Sequence, residues 1–350
     1  MRLLYWLLIF APVAVGAELL HAAPLVVFVA AALAIIPLSG LLGNATEELA
    51  GHTGPTVGGL LNATLGNLAE LIIAALALRA GFVGLVKASI TGSILGNLLL
   101  VLGASQLAGG VRFKTQRFNP HLAGVSVSLL VIAVIGLVVP ALFHATHPDP
   151  LRAATVRMSE FVAGLLIVGY VLSLVYSMWT HRAVFGEGGD IAEGDETPQW
   201  TLKRSLAVLL GSAAGIGYLS ELLVGSTEAA STQLGLSEVF VGLVVVPIIG
   251  NAAEHSSAVM MALKDRMDLT VGIAVGSSTQ VALLIAPLLV FLGLAFDQPM
   301  DLAFSLMEVA SVVLAVAIAS TVVRDAESNW LEGAFLLLVY LILAVTFFFF

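Results

Sequence analysis

The chain has 350 residues, 59% of them hydrophobic and only 11% charged, with a mean hydropathy of +1.05. Soluble domains carry about 25% charged residues, so a water-bathed core could not hide this much apolar surface, and the chain reads as a polytopic membrane protein in contact with lipid. The net charge of −9 argues against nucleic acid, and the absence of cysteine removes disulfides, thiolate metal sites and cysteine nucleophiles together.

Runs of roughly 20 apolar residues, punctuated by Gly, Pro and charge, predict an all-α chain of eleven spans. Their limits fall at about 2–20, 24–49, 55–78, 82–108, 119–143, 154–182, 200–232, 237–263, 268–294, 301–323 and 330–349. Arg2, the apolar run behind it and Val15-Gly16-Ala17 imitate a cleavable signal peptide, but ten further spans favour an uncleaved first helix. The second and seventh spans end in Thr46-Glu47-Glu48 and Ser226-Thr227-Glu228, where Glu47 and Glu228 read as solvated helix ends or as ion guides. Lys87 is expected to snorkel to an interface. Glu221 and Glu308 fall inside spans and read as polar cross-links between helices. The soluble stretch Ala183–Gln199 holds Glu187, Asp190, Glu193, Asp195 and Glu196 among glycines. It reads as a flexible linker, although clustered carboxylates also suit hard cations.

The 14 Lys and Arg orient these spans. One side holds Arg2, Arg112, Lys114, Arg117, Arg182, Lys203, Arg204, Lys264, Arg266 and Arg324; the other holds Arg79, Lys87, Arg152 and Arg157. The excess places the N-terminus in the cytoplasm and, after eleven spans, the C-terminus outside.

Gly66-Asn67-Leu68-Ala69-Glu70 returns as Gly250-Asn251-Ala252-Ala253-Glu254, 184 residues later. The same offset carries Gly58 onto Gly242 and Gly92-Ser93 onto Gly276-Ser277. The expected organisation is a first helix at 1–23 outside the duplication, a five-helix repeat at 24–182, an acidic cytoplasmic linker at 183–199 and a second five-helix repeat at 200–350. Five is odd, so the repeats are inverted, a design suited to alternating access.

Each motif sets a carboxylate in an apolar span, at roughly 2.5–3.5 kcal/mol on insertion scales. On a helix Asn67 and Glu70 share a face, as do Asn251 and Glu254. Gly66, Gly250 and Pro247 allow a break that turns carbonyls towards a cavity. Two carboxylates, two amides and freed carbonyls make an oxygen-only, negative site of the kind calcium prefers, whereas zinc or copper would want imidazole or thiolate. Asn97 and Gln280, whose amides need partners inside lipid, are assigned to the cavity wall. Two close carboxylates cannot both stay ionised without a cation, so metal and protons compete for them. That is the requirement of an antiporter, with Glu70 and Glu254 as the proton-coupling pair. No cofactor is implied beyond the ions carried, and a homo-oligomer is left open.

These motifs, with Gly58-Gly59-Leu60-Leu61-Asn62-Ala63-Thr64 ahead of the first and His255 closing the second, resemble the signature repeats of the calcium/proton exchangers, in the cation/calcium exchanger superfamily. The resemblance implies eleven helices and two inverted five-helix repeats in a bacterial or archaeal cytoplasmic membrane. It makes Glu70 and Glu254 alternating calcium and proton ligands, with Asn67, Asn97, Asn251 and Gln280 lining the site and Asn62, Ser277 and His255 beside it. The Glu187–Glu196 stretch stands where eukaryotic relatives carry an acidic regulatory helix, but here it is short and broken by glycine. Sodium/calcium exchangers carry Gly-Thr-Ser-x-Pro-Glu at these places, so sodium is disfavoured. The remaining alternatives are manganese/proton or sodium/calcium exchange, a passive cation channel and an intramembrane hydrolase. The last suffers because Glu254-His255-Ser256 scatter around a helix.

Overall fold

The computed structural model describes residues 4–147, 152–181 and 198–350; Arg2 and the acidic positions from Glu187 to Glu196 lie outside them. In chain order its elements are α1 (Tyr5–Leu19), α2 (Pro24–Thr53), α3 (Pro55–Leu65), α4 (Leu68–Arg79), α5 (Val83–Phe113), β1 (Thr115–Arg117) and α6 (Pro120–Thr146). They continue with α7 (Ala153–Thr180), α8 (Leu202–Leu234), α9 (Glu238–Gly250), α10 (Ala252–Ala262), α11 (Met267–Ala295), α12 (Leu306–Val322), β2 (Glu327–Asn329) and α13 (Trp330–Phe348). Among the described residues eight helices are long and apolar enough to cross a membrane, with α3 and α4 running on as one span, Val57–Arg79. A ninth comes from α9 and α10, bent by 62° at their junction, and α1 and α12 are shorter apolar helices.

Local chemistry sets the ends. Pro24 opens α2, where its missing N–H costs nothing, and Gly54 closes it at φ 79°. Thr201 and Ser237 accept the N–H groups of Arg204 (3.3 Å) and Phe240 (3.1 Å) at the starts of α8 and α9. Ser305 and Glu308 form a reciprocal capping box on α12.

By compactness the chain divides into two units, 1–89 with 193–254 and 347–350, and 90–192 with 255–346. Each unit therefore draws on both sequence halves, unlike the consecutive segments 24–182 and 200–350 read from the repeat.

In the first unit α2 lies along α8, and α4 packs on α8 as well. Small buried residues, among them Ala30, Ala31, Ala34 and Ala45 of α2, let the helices approach, which is how helices associate where lipid offers no hydrophobic gain. α2 runs past the predicted limit to Thr53 because its polar end is engaged. Glu48 accepts the backbone N–H of Trp200 (2.9 Å), His52 Nε2 donates to the Trp200 carbonyl (2.7 Å), and Arg204 covers the Trp200 ring (4.6 Å). Glu221 pairs with Arg79 at 3.9 Å, the expected cross-link, but both are exposed and the pair contributes little. Lys87 is buried at 8% exposure and does not snorkel.

In the second unit α11 and α12 both pack on α6. Glu308 accepts from Ser305 N–H (2.9 Å) and from the Thr91 hydroxyl (3.4 Å), so it serves as cap and cross-link. Buried Asp301 is paired with Arg152 at 3.1 Å. β1 and β2 form an antiparallel ribbon with Gln116 opposite Ser328. α5 and α11 each widen into a π-turn, at Gly96–Val101 and Val281–Ile285, positions that the 184-residue offset superposes.

Candidate functional site

Both signature motifs interrupt their helices at asparagine with nearly the same backbone: φ −95°, ψ 24° at Asn67 and φ −106°, ψ 12° at Asn251. α4 and α10 restart on the next residue, so Glu70 and Glu254 each stand third in a new helix. There, unsatisfied N–H groups and the helix dipole favour negative charge.

Within the first unit the two motifs border one cavity of ≈ 90 Å³. Its polar lining is Ser39, Thr46 and Glu47 from α2, Asn62 from α3, Asn67 and Asn251 at the two breaks, and Glu254 from α10; Gly43, Gly66 and Gly250 leave room between them. A water needs about 10–15 Å³ by this measure, so the space admits several waters or one partly hydrated ion. Ser39 and Thr46 donate their hydroxyl protons to the Ile35 and Leu42 carbonyls (3.1 and 3.0 Å), leaving lone pairs on their oxygens. The lining thus offers two carboxylates, three amides and two hydroxyls and no imidazole, which is hard-cation chemistry. Among the described residues no three His, Asp or Glu cluster as a metal site, so amide and hydroxyl oxygens would have to complete any coordination shell.

Glu47, Asn62, Asn67, Asn251 and Glu254 are therefore brought together around one cavity. Glu70 is buried at 5% exposure, but Ala69 lines the cavity in its place, because consecutive helical side chains point about 100° apart. Glu228 is exposed and does not line the cavity, although its neighbour Thr227 is fully buried. Sequence reasoning missed Ser39. The signal was there: Ser39, Gly43 and Thr46 recur at i, i+4 and i+7 on one face of α2.

In the second unit Asn97 Nδ2 donates to Ser277 Oγ at 3.1 Å, tying α5 to α11. Asn97 is fully buried and its Oδ1 has no partner, an acceptor held available. Gln280 is buried one turn beyond Ser277, and His255 is half-buried on α10.

Long apolar helices, two of them interrupted at matching asparagines beside a polar cavity, define the class as a membrane transporter. The chain belongs to the sodium/calcium exchanger protein family, whose model it matches over residues 23–179 and 204–349. It is 44% identical to the Ca(2+)/H(+) antiporter of Synechocystis sp. over 357 residues, covering 98% of this chain and 96% of that protein. It is 42% identical to the Ca(2+)/H(+) antiporter ChaA of Bacillus subtilis, covering 96% of each. The structure of native YfkE superposes with a TM-score of 0.86 at 37% identity, covering 99% of this chain and 100% of that one.

Proposed function

We propose that the protein exports calcium from the cytosol in exchange for protons, by alternating access around a mid-membrane carboxylate site. The observation that carries this reading is the single cavity on which both repeated motifs converge, each through a broken helix. Glu254, with Glu47 and the amides of Asn62, Asn67 and Asn251, supplies oxygens that hold either a dehydrated calcium ion or the protons replacing it. Glu70, equivalent to Glu254 and at the same helix position, is the second exchanging carboxylate and turns into the site as access alternates. One proton on each glutamate balances one calcium. Asn97, Ser277 and Gln280 are assigned supporting polar roles.

In this reading the membrane is the cytoplasmic one of a bacterium or archaeon. All eleven helical segments span it, α1 and α12 included, as an extra helix plus two inverted five-helix repeats with the N-terminus inside. The names of the 44% and 42% identical relatives support the choice of ions.

Purified protein in liposomes loaded with calcium indicator tests this. Uptake driven by an imposed pH gradient, and absent with a sodium gradient alone, is the expected result. Sodium-driven uptake would replace proton with sodium as the coupling ion. Calcium entry with no gradient of either would make the protein a channel.

A further inference from the structure

The polar half of α2 carries two sets of side chains on different faces. Ser39, Gly43, Thr46 and Glu47 line the cavity of the first unit. Asn44, Glu48 and His52 recur at four-residue steps. At about 100° per residue they fall on nearly the opposite side of the helix. The cavity accounts for the first set and not for the second.

Every member of the second set grips a neighbour within the same unit. Asn44 Nδ2 donates to the Tyr5 hydroxyl of α1 at 3.0 Å. Glu48 Oε2 accepts the N–H of Trp200 at 2.9 Å, and His52 Nε2 donates to the carbonyl of that same residue at 2.7 Å. Two side chains one turn apart thus hold both backbone polar groups of a single residue, just ahead of Thr201, the cap of α8. Gly51 lets this segment lie close, since a Cβ there would come 3.1 Å from Pro198 Cγ. From the first turn of α8, Arg204 lies over the Trp200 ring at 4.6 Å.

Such a double grip is sensitive to how α2 is turned. A rotation by one residue position, about 100°, would pull Glu48 and His52 off Trp200 and swing Glu47 away from the cavity together. Pro37 makes an external hold valuable. It removes one hydrogen bond from the α2 ladder just before Ser39, so the lining half of the helix continues from a weakened turn. Glu47 is exposed, so its aim depends on the rotation of α2 rather than on burial of its own side chain.

We propose that Asn44, Glu48 and His52 are positioning residues that fix the rotation of α2 about its axis and so aim Glu47 into the cavity. Glu48 acts here through the hydrogen bond it accepts, not through its charge. This role rests on the reading of the cavity as the calcium site.

The test is equilibrium calcium binding to the purified full-length protein in detergent at one pH. Glu48→Ala combined with His52→Ala should weaken binding about tenfold, and Tyr5→Phe, the mildest break, about two- to threefold. Glu48→Gln keeps an oxygen for the Trp200 N–H, and His52→Gln keeps an N–H for its carbonyl, so each should bind within about twofold of the parent. In a Glu47→Ala background the loss from the double alanine should shrink to about threefold or less, because the side chain being aimed is gone. If the double-alanine protein fails to fold, His52→Ala alone, at an exposed side chain, replaces it with an expected loss of about threefold that disappears without Glu47. A loss in Glu48→Gln as large as in Glu48→Ala overturns the proposal by making charge the cause. An equal loss with and without Glu47 overturns it as well, by showing general loosening of the fold. Parental affinity in the double-alanine protein, with Glu254→Gln still impaired, overturns the proposal alone. Calcium binding indifferent to Glu254→Gln overturns the cavity reading and this role with it.

Discussion

The two signature motifs are close to identical in sequence and in the backbone of their breaks, yet they present their carboxylates differently. Glu254 lines the cavity, while Glu70 is buried and leaves the lining to Ala69. Their helices differ as well: the first copy continues as one span, whereas the second bends by 62° after a π-turn at Val241–Val245 and a proline at 247. Pro247 deletes one intrahelical hydrogen bond, and the π-turn has already loosened the ladder. What this teaches is that a duplicated motif repeats its chemistry, while flanking residues decide which copy lines the cavity.

The largest test of that asymmetry is neutralisation of each carboxylate in turn. Glu254→Gln and Glu70→Gln are each expected to abolish proton-driven calcium uptake in liposomes. In equilibrium calcium binding to detergent-solubilised protein they should part, with about 100-fold or more lost in Glu254→Gln and about tenfold in Glu70→Gln, differences of roughly 2.7 and 1.4 kcal/mol. Equal losses would mean that the two copies are equivalent in the resting state.

Proton competition gives the next largest effect. In the proposed exchange protons and calcium share carboxylate oxygens, so calcium affinity is expected to rise with pH and to fall as acid is added. One titrating carboxylate limits the slope to about tenfold per pH unit, and two allow a steeper one. A slope above tenfold would bring Glu70 into the binding step alongside Glu254; a flat profile would break the exchange model.

Backbone contacts come third. A Cβ on Gly58 would strike the Ala50 carbonyl, and one on Gly242, its repeat equivalent, would lie 2.7 Å from the Leu85 carbonyl oxygen. Gly58→Val and Gly242→Val should each lower stability by about 1–3 kcal/mol, read as a drop in Tm. A neutral result at one site alone would extend the asymmetry from the carboxylates to the packing. Ser39→Ala and Thr46→Ala, which each remove one neutral oxygen from the α2 wall, should weaken calcium binding only about three- to tenfold.

Much of this was legible beforehand, because the strongest signals are energetic anomalies. Charge in an apolar run, repeated at a fixed offset, marked the two motif helices and, in the cavity lining, Asn67, Asn251 and Glu254, while Asn62 came with the family resemblance and Glu47 only as one of two readings. What the sequence hid has physical reasons. Glu70 and Ala69 differ by one step around a helix, and the motif alone does not say which one faces inwards. Ser39 was invisible to a reading weighted towards carboxylates and amides, since serine is common at helix contacts. Lys87 was misplaced because burial of its charge depends on packing that periodicity does not report. The division into two units follows packing rather than chain order, since each unit draws on residues from both sequence halves.

The paired π-turns in α5 and α11 have a consequence for how this chain tolerates change. A π-turn holds one residue more than the α-helix it interrupts. Dropping a residue from ordinary helix swings every later side chain by about 100°. Dropping one from 97–101 or 281–285 instead restores regular winding and keeps both flanking faces aligned. By this geometry, loss of one residue inside such a turn disturbs the faces on either side less than loss of one from regular helix.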